Sequence, residues 1–316
     1  MLPPTASPRQ TQSYLRDLLA SRGIHPRTKL GQNFLIDLNL QRLIADSAQL
    51  DPTDLVLEVG AGTGGLTSLL AQRAGHVVAV EIDAALYQLA RDNTAACANV
   101  SLLRLDALKN KNQLNPELLA CLHDKLHSGP FQRLKLVANL PYNVATPVIA
   151  NLLLEEPGLH SMTVTLQQEL ADRLLASPAT KDYGPLSVWV QSVADVELVR
   201  RLPPTAFWPR PKVSSAIVRI ILSAEKRARI SEIPFFHTFV RQVFLHRRKS
   251  LRTVLAALYR DRLTKPAIDA LLASQQLPPD TRAEQLTAPQ FIALADAVKH
   301  VLAGCDPGRE PPSTPS

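Results

Sequence analysis

Between residues 54 and 176 the chain repeats one pattern: an apolar run, a polar turn, then apolar residues at helical spacing. Leu55-Val56-Leu57-Glu58-Val59, Val77 to Ile82, Val100 to Leu105, Leu134 to Ala138 and Met162 to Leu166 have the length and content of buried strands. Leu66 to Arg73, Ala84 to Asn93, Pro147 to Leu154 and Glu169 to Ala176 read as intervening helices, and Asn110 to Ser128 as a polar, partly helical excursion. Two helices are expected before the first strand, at Tyr14 to Ala20 and at Leu38 to Leu50, where Leu40, Leu43, Ile44 and Ala48 share a face. Near-continuous apolar strands alternating with helices argue for an α/β fold, a parallel sheet covered by helices on both faces.

The rhythm changes after residue 186. Val196 to Leu202 and Ala216 to Leu222 read as two late strands joined by a Pro-rich segment, Pro203 to Pro211, which suggests an antiparallel addition at the sheet edge. Past residue 224 the helical period takes over in Phe235 to Leu258, Ile268 to Leu272 and Pro289 to Leu302. The expected organisation is an N-terminal extension over 1–28, a sheet domain over 29–223, a helical domain over 224–302 and a tail over 303–316. The Pro/Ser/Thr-rich ends read as disordered.

A length of 316 residues and a hydrophobic content of 46% suit two globular domains. No apolar run is long enough to span a membrane, the start carries no secretory pattern, and Cys97, Cys121 and Cys305 form neither a disulfide framework nor a metal site. The expectation is a cytoplasmic protein. The net charge of +7 is unevenly placed: from Ala224 onward there are 14 Lys and Arg against 9 Asp and Glu, and in the remainder 21 against 19. The surplus in the last third suggests a polyanionic partner, although charge alone also fits a solvated basic surface.

Candidate chemistry lies at the ends of the strands. Gly60, Gly62 and Gly65 fit the G-x-G-x-x-G loop of dinucleotide enzymes, while Gly60, Gly62 and Gly64 fit the G-x-G-x-G loop of S-adenosylmethionine (SAM) methyltransferases. Glu81, after the second strand, serves either reading as a ribose ligand. Asp106, after the third, stands where SAM enzymes often place a carboxylate for the adenine amine. Asn139-Leu140-Pro141-Tyr142, after the fourth, combines an amide acceptor, a residue without a backbone donor and a ring able to stack on a base. Alone, that tetrapeptide also fits a strand ending in an Asn-Pro turn. Beside the glycine loop it favours methylation of an amine over hydride transfer.

These segments resemble the bacterial small-subunit (16S) ribosomal RNA adenine N6,N6-dimethyltransferases, from about Lys29 to Phe291. Further matching segments are Lys29 to Leu35, Glu81-Ile82-Asp83, Leu166-Gln167-Gln168-Glu169, Tyr183 to Val188, Pro209-Arg210-Pro211-Lys212-Val213, His246-Arg247-Arg248-Lys249 and Arg282-Ala283-Glu284. The resemblance implies a Rossmann-like SAM-dependent methyltransferase domain followed by a small helical domain. It implies SAM contacts at Asn33, Leu35, Gly60, Gly62, Glu81, Asp106 and Asn139. Tyr142 and Phe207 would hold the target base, one of two adjacent adenines in the hairpin loop near the 3′ end of 16S rRNA in an immature small ribosomal subunit. Ala61, Val144-Ala145-Thr146, Ser214 and His246 depart from commoner family residues.

The chemistry expected of this set needs no metal and no strong base. Adenine N6 is a poor nucleophile because its lone pair is delocalised, so acceptors on its hydrogens favour the geometry of attack. The Asn139 side-chain oxygen and the Leu140 carbonyl are the expected acceptors, and Pro141, Tyr142 and Phe207 complete the catalytic set. RNA contacts are expected at Arg241, Arg247, Arg248, Lys249 and Arg252. On one continuous helix Arg241, Arg248 and Arg252 fall within about 40° of one another. No acidic residue lies between Glu232 and Asp261 to neutralise them. The protein is expected to act as a monomer. A related methylase of large-subunit RNA and a non-enzymatic nucleic-acid binder are the competing classes.

Overall fold

The computed structural model describes residues 12–27, 30–155 and 158–304. The ends expected to be disordered fall largely outside these residues, as do Lys29 and Cys305. The chain divides into two compact units, one of residues up to 172 together with 195–222, the other of residues 173–194 together with 223 onward.

The first unit opens with α1 (Gln12–Ser21), whose Leu15 and Leu19 pack with Leu86 and Leu89. A two-residue strand, β1 (Phe34–Leu35), precedes α2 (Leu38–Ser47), which is capped by Asp37 accepting from the Asn39 N–H. The alternation follows: β2 (Asp54–Val59), α3 (Gly65–Ala71), β3 (His76–Val80), α4 (Ala84–Thr94) and β4 (Val100–Leu103). The excursion after β4 is a small hairpin, β5 (Leu108–Asn110) and β6 (Gln113–Leu114), then α5 (Pro116–Ser128). Next come β7 (Arg133–Asn139), α6 (Ala145–Glu155), β8 (Leu159–Gln167), α7 (Gln168–Leu175), β9 (Ala194–Leu202), β10 (Phe207–Trp208) and β11 (Ser215–Leu222).

Seven strands form the main sheet in the order β4-β3-β2-β7-β8-β11-β9. Neighbours from β4 to β8 pair in parallel, and β11 runs antiparallel to β8, as expected of a late edge addition. Alternation along the strands sends Val56, Val77, Val137 and Ile217 to a face covered by α2 and α3, through Leu40, Ile44, Leu66 and Leu70. The alternate residues Leu55, Leu57, Val78, Leu134 and Leu136 are equally buried, so both faces are covered. One polar device closes the underside. Lys135 on β7, nearly inaccessible, donates to the Ala48 and Gln49 carbonyls just past α2 and pairs with buried Asp54 at 2.9 Å.

The second unit is helical. It contains α8 (Pro185–Val193), α9 (Ala224–Ala228), α10 (Ile233–Phe244), α11 (Leu251–Leu258), α12 (Lys265–Ser274) and α13 (Ala288–Gly304). Here the structure corrects two expectations. Residues 173–194 belong with the C-terminal helices instead of the sheet domain, because Trp189 of α8 packs on Phe236 and His237 of α10. The helix expected over Phe235 to Leu258 is two helices. The first ends at Phe244, and Ser250 caps the second by accepting from the Thr253 N–H.

Candidate active site

The chain runs outward from β2 to β3 and β4, then returns to β7 on the other side of β2. The crevice at such a reversal, beyond the carboxyl ends of the strands, is where open α/β sheets bind ligands. The four loops leaving β2, β3, β4 and β7 carry the glycine motif, Glu81, Asp106 and the Asn139–Tyr142 segment. They line one cleft together with Leu30, Gly31, Gln32 and Asn33 from the segment before β1.

The glycine loop is fixed from below. The Gly60 and Ala61 N–H groups both donate to the Val80 carbonyl, at 2.9 and 3.0 Å. Ala61 departs from the Pro common in the family and thereby keeps a donor that Pro lacks. Gly60 has φ +83°, and a Cβ there would meet Pro141 Cγ at 2.9 Å, so the absent side chain lets the Asn139–Tyr142 loop close against the glycine loop. The Gly62 N–H donates to Glu81 Oε2 at 2.8 Å, and the Asp83 N–H to Oε1 at 3.0 Å. Each carboxylate oxygen keeps a second lone pair, which suits a ribose diol. Burial pushes the Glu81 carboxyl up, and these backbone donors pull it back. Asp106 is exposed at the rim, where Oδ1 accepts from the Leu108 N–H at 2.9 Å.

Asn139 is the polar centre of the cleft. Its Nδ2 donates to the Asn33 carbonyl at 2.9 Å, which settles the orientation of the amide. Its Oδ1 is buried and takes no hydrogen bond among the described residues. A buried acceptor left without a donor calls for an explanation, and a ligand amine supplies one. Leu140 is buried beneath it, and Pro141 and Tyr142 line the wall. The Tyr142 hydroxyl is held by Ser215 Oγ at 2.6 Å, and burial raises its pKa.

Two expected members stand apart. Leu35 lines an adjoining cavity behind the glycine loop, and its carbonyl accepts from Gln41 Nε2 at 2.7 Å. Phe207, expected to hold the target base, is 2% exposed and packed in the core, because β10 pairs antiparallel with β1 in the register Leu35↔Phe207. In this conformation it offers no face to a base. Ser214, another departure, is exposed, and its carbonyl accepts from the Gln168 N–H at 2.9 Å.

The basic residues are redistributed by the break between α10 and α11. Arg241, Arg248 and Arg252 do not share one helix. Arg247 is tied to Glu284 and donates to the Thr180 carbonyl at 3.1 Å, so it braces the helical unit. Arg252 makes a two-pronged pair with Asp269, at 2.5 and 2.8 Å. The acids that neutralise these arginines come from distant segments, which the local charge pattern did not show. Arg241 is exposed near the end of α10. Arg248 and Lys249 are exposed in the turn, and their side chains have no ion pair among the described residues.

The sequence reading passed over Gln41 and Glu58. Both carried a signal: a polar residue three positions before Ile44 on an apolar helical face, and a carboxyl inside an apolar strand. Burial raises the Glu58 carboxyl to about 8, aided by the charge of Glu81 and opposed by a hydrogen bond from Thr67.

Comparison with known proteins bears on the whole arrangement. The family described as ribosomal RNA adenine dimethylase matches residues 24–299. The ribosomal RNA small subunit methyltransferase A of Geobacillus sp. (strain WCH70) is 38% identical over 294 residues, covering 92% of this chain and 98% of the relative. That of Ligilactobacillus salivarius (strain UCC118) is 38% identical over 298 residues, covering 94% and 97%. Among solved structures, a dimethyladenosine transferase from Plasmodium falciparum shares the fold, with TM-score 0.70, 22% identity, and coverage of 84% of this chain and 97% of that one. The 23S rRNA methyltransferase ErmE aligns with TM-score 0.59 and 26% identity over 84% and 100%. The match takes in both the strand-end cleft and the helical unit and leaves little of either relative uncovered, so this chain belongs to the ribosomal RNA adenine dimethylase family.

Proposed function

We propose that this chain uses SAM to dimethylate the N6 amines of two adjacent adenines in the 3′-terminal hairpin loop of small-subunit rRNA, during assembly of that subunit. The observation that carries the reading is the unpartnered, buried Asn139 Oδ1 at the end of β7, beside the glycine loop. Relatives named ribosomal RNA small subunit methyltransferase A support the choice of RNA. The reading includes a monomer acting in the cytoplasm; among the described residues no helix is long and apolar enough to cross a membrane.

The cleft fits the methyl donor on its own features. Glu81 has lone pairs left for a ribose, Gly60 and Gly62 line the wall of the cleft, and Asp106 stands at the rim for the adenine amine. Bound SAM would supply an electrophilic methyl on a sulfonium. The chain's part is then to hold and orient. Asn33 fixes the Asn139 amide so that Oδ1 accepts one N6 hydrogen, the Leu140 carbonyl accepts the other, and the Tyr142 ring stacks on the extruded base. Asn139 and Leu140 carry no group that takes a full proton, so their work is electrostatic orientation of the amine. Arg248 and Lys249 are the phosphate contacts on the helical unit, with Arg241 nearby in sequence.

Mapping N6,N6-dimethyladenosine in the rRNA of cells with and without the protein, together with methyl transfer by purified enzyme to immature small subunits, tests the reading. Loss of the paired modification from small-subunit RNA is expected. Modification confined to large-subunit RNA would sink it.

A further inference from the structure

Tyr142 is fixed at both ends. Its backbone lies against the segment before β1: a Cβ on Gly31 would meet the Tyr142 nitrogen at 3.1 Å and Asn143 Oδ1 at 2.8 Å. Its ring is half-buried in the wall of the cleft, and its hydroxyl ends 2.6 Å from Ser215 Oγ. Ser215 is fully buried, and the Tyr142 hydroxyl is its one side-chain partner among the described residues. The sheet explains the reach. Ser215 opens β11 opposite Gln167 of β8, two positions beyond the row Asn139–Thr165–Ile217. With β8 between them, β7 and β11 lie about 10 Å apart. The Tyr142 side chain starts from the loop after β7 and ends at β11, so its ring spans the strand end between them. The anchor is itself held, because the Gln168 N–H donates to the Ser214 carbonyl at 2.9 Å and ties the start of β11 to the end of β8.

We propose that Ser215 is a positioning residue for methyl transfer: its hydroxyl bond sets the plane of the Tyr142 ring and, through the ring, the seat of the extruded base. This rests on the reading of Tyr142 as the ring that stacks on that base. Transfer needs the amine nitrogen in line with the methyl group, and a misplacement of about 1 Å can cost about a hundredfold in rate.

A tyrosine released at its hydroxyl end still offers a face. Its ring then turns about two side-chain torsions, and a base stacked on it turns with it. Holding the ring before the substrate arrives removes that ordering from the reaction. Burial raises the Tyr142 phenol above its ordinary pKa, so near neutral pH the pair is two uncharged hydroxyls, either of which can donate.

The test compares Ser215→Ala, Tyr142→Phe, the double variant and Tyr142→Ala in the whole protein. Single-turnover methyl transfer is followed at saturating SAM over a range of concentrations of immature small subunits. Ser215→Ala and Tyr142→Phe should each lower the saturating rate by about three- to tenfold, the worth of one net hydrogen bond. The half-saturating subunit concentration, and SAM affinity by calorimetry, should stay unchanged. The double variant should be no slower than either single one, because both changes delete the same bond. Tyr142→Ala, which also loses the ring, should fall well below all three. Thermal melts establish that each variant is folded, and Tyr142→Phe decides alone if Ser215→Ala is not. Wild-type rates in the single variants, additive losses in the double one, or a loss confined to SAM affinity would overturn the proposal. Normal transfer by Tyr142→Ala would overturn the stacking reading itself, and this proposal with it.

Discussion

Replacing Asn139 by Ala removes two opposed contributions to stability and one contribution to catalysis, which makes it the most discriminating single change in the cleft. The substitution loses the bond from Nδ2 to the Asn33 carbonyl, worth about 1 kcal/mol net, and a little buried volume. It also relieves the unpartnered Oδ1, whose desolvation costs about 1–3 kcal/mol. The two nearly offset, so the melting transition should stay close to that of wild type. Catalysis has no such offset. If Oδ1 accepts the N6 hydrogen only as the nitrogen turns toward the methyl group, its loss costs about 2.7–4 kcal/mol, a hundred- to thousandfold in rate. Single-turnover methyl transfer to immature small subunits at saturating SAM, with melts alongside, measures both quantities. A folded variant with a near-normal rate would refute the role of Asn139. A large drop in melting temperature would refute the claim that the unpartnered Oδ1 costs stability.

Three further outcomes are expected. Glu81→Ala should weaken SAM binding by about 1.5–3 kcal/mol by calorimetry, through the lost ribose bonds and a glycine loop no longer anchored at Gly62. Glu58 has a folded pKa raised to about 8 from an ordinary 4.5, so its stabilising effect is complete below 4.5 and is lost as pH rises toward 8. Chemical denaturation across that window should show wild type losing stability relative to Glu58→Gln, by at most about 1.4 kcal/mol per pH unit, and a flat difference would refute the buried neutral acid. Replacing Arg248 and Lys249 together with Ala should reduce the slope of log RNA affinity against log salt by roughly one to two, whereas Arg252→Ala, already paired with Asp269, should leave the slope nearly unchanged.

The parts of the site legible in the sequence were those whose chemistry is local. A glycine loop between a strand and a helix, an acid at each of the next two strand ends and Asn139–Tyr142 at the fourth declare their positions, because a parallel sheet gathers its strand ends on one edge. What stayed hidden depended on distant partners. Phe207 is buried by pairing with Leu35, and two-residue strands lie below any visible period. Arg247 and Arg252 looked unopposed until Glu284 and Asp269 were brought to them. The helix Pro185–Val193 went unseen because Val188, Trp189, Val190 and Val193 are buried around much of its circumference, which erases the helical stripe. Ser250, by contrast, was a readable cap in the middle of the expected long helix.

The assignment of residues 173–194 to the helical unit bears on how such a protein can be recombined. A single crossover at residue 222, the cut that linear order suggests, would leave α8 on one parent and its packing partners α10 and α13 on the other. Trp189, Val188 and Val193 would then meet a surface shaped by a different history. Exchange of the helical unit between relatives therefore needs two junctions, so that 173–194 travels with 223–304. A chimaera built that way should stay soluble where the one-junction version aggregates.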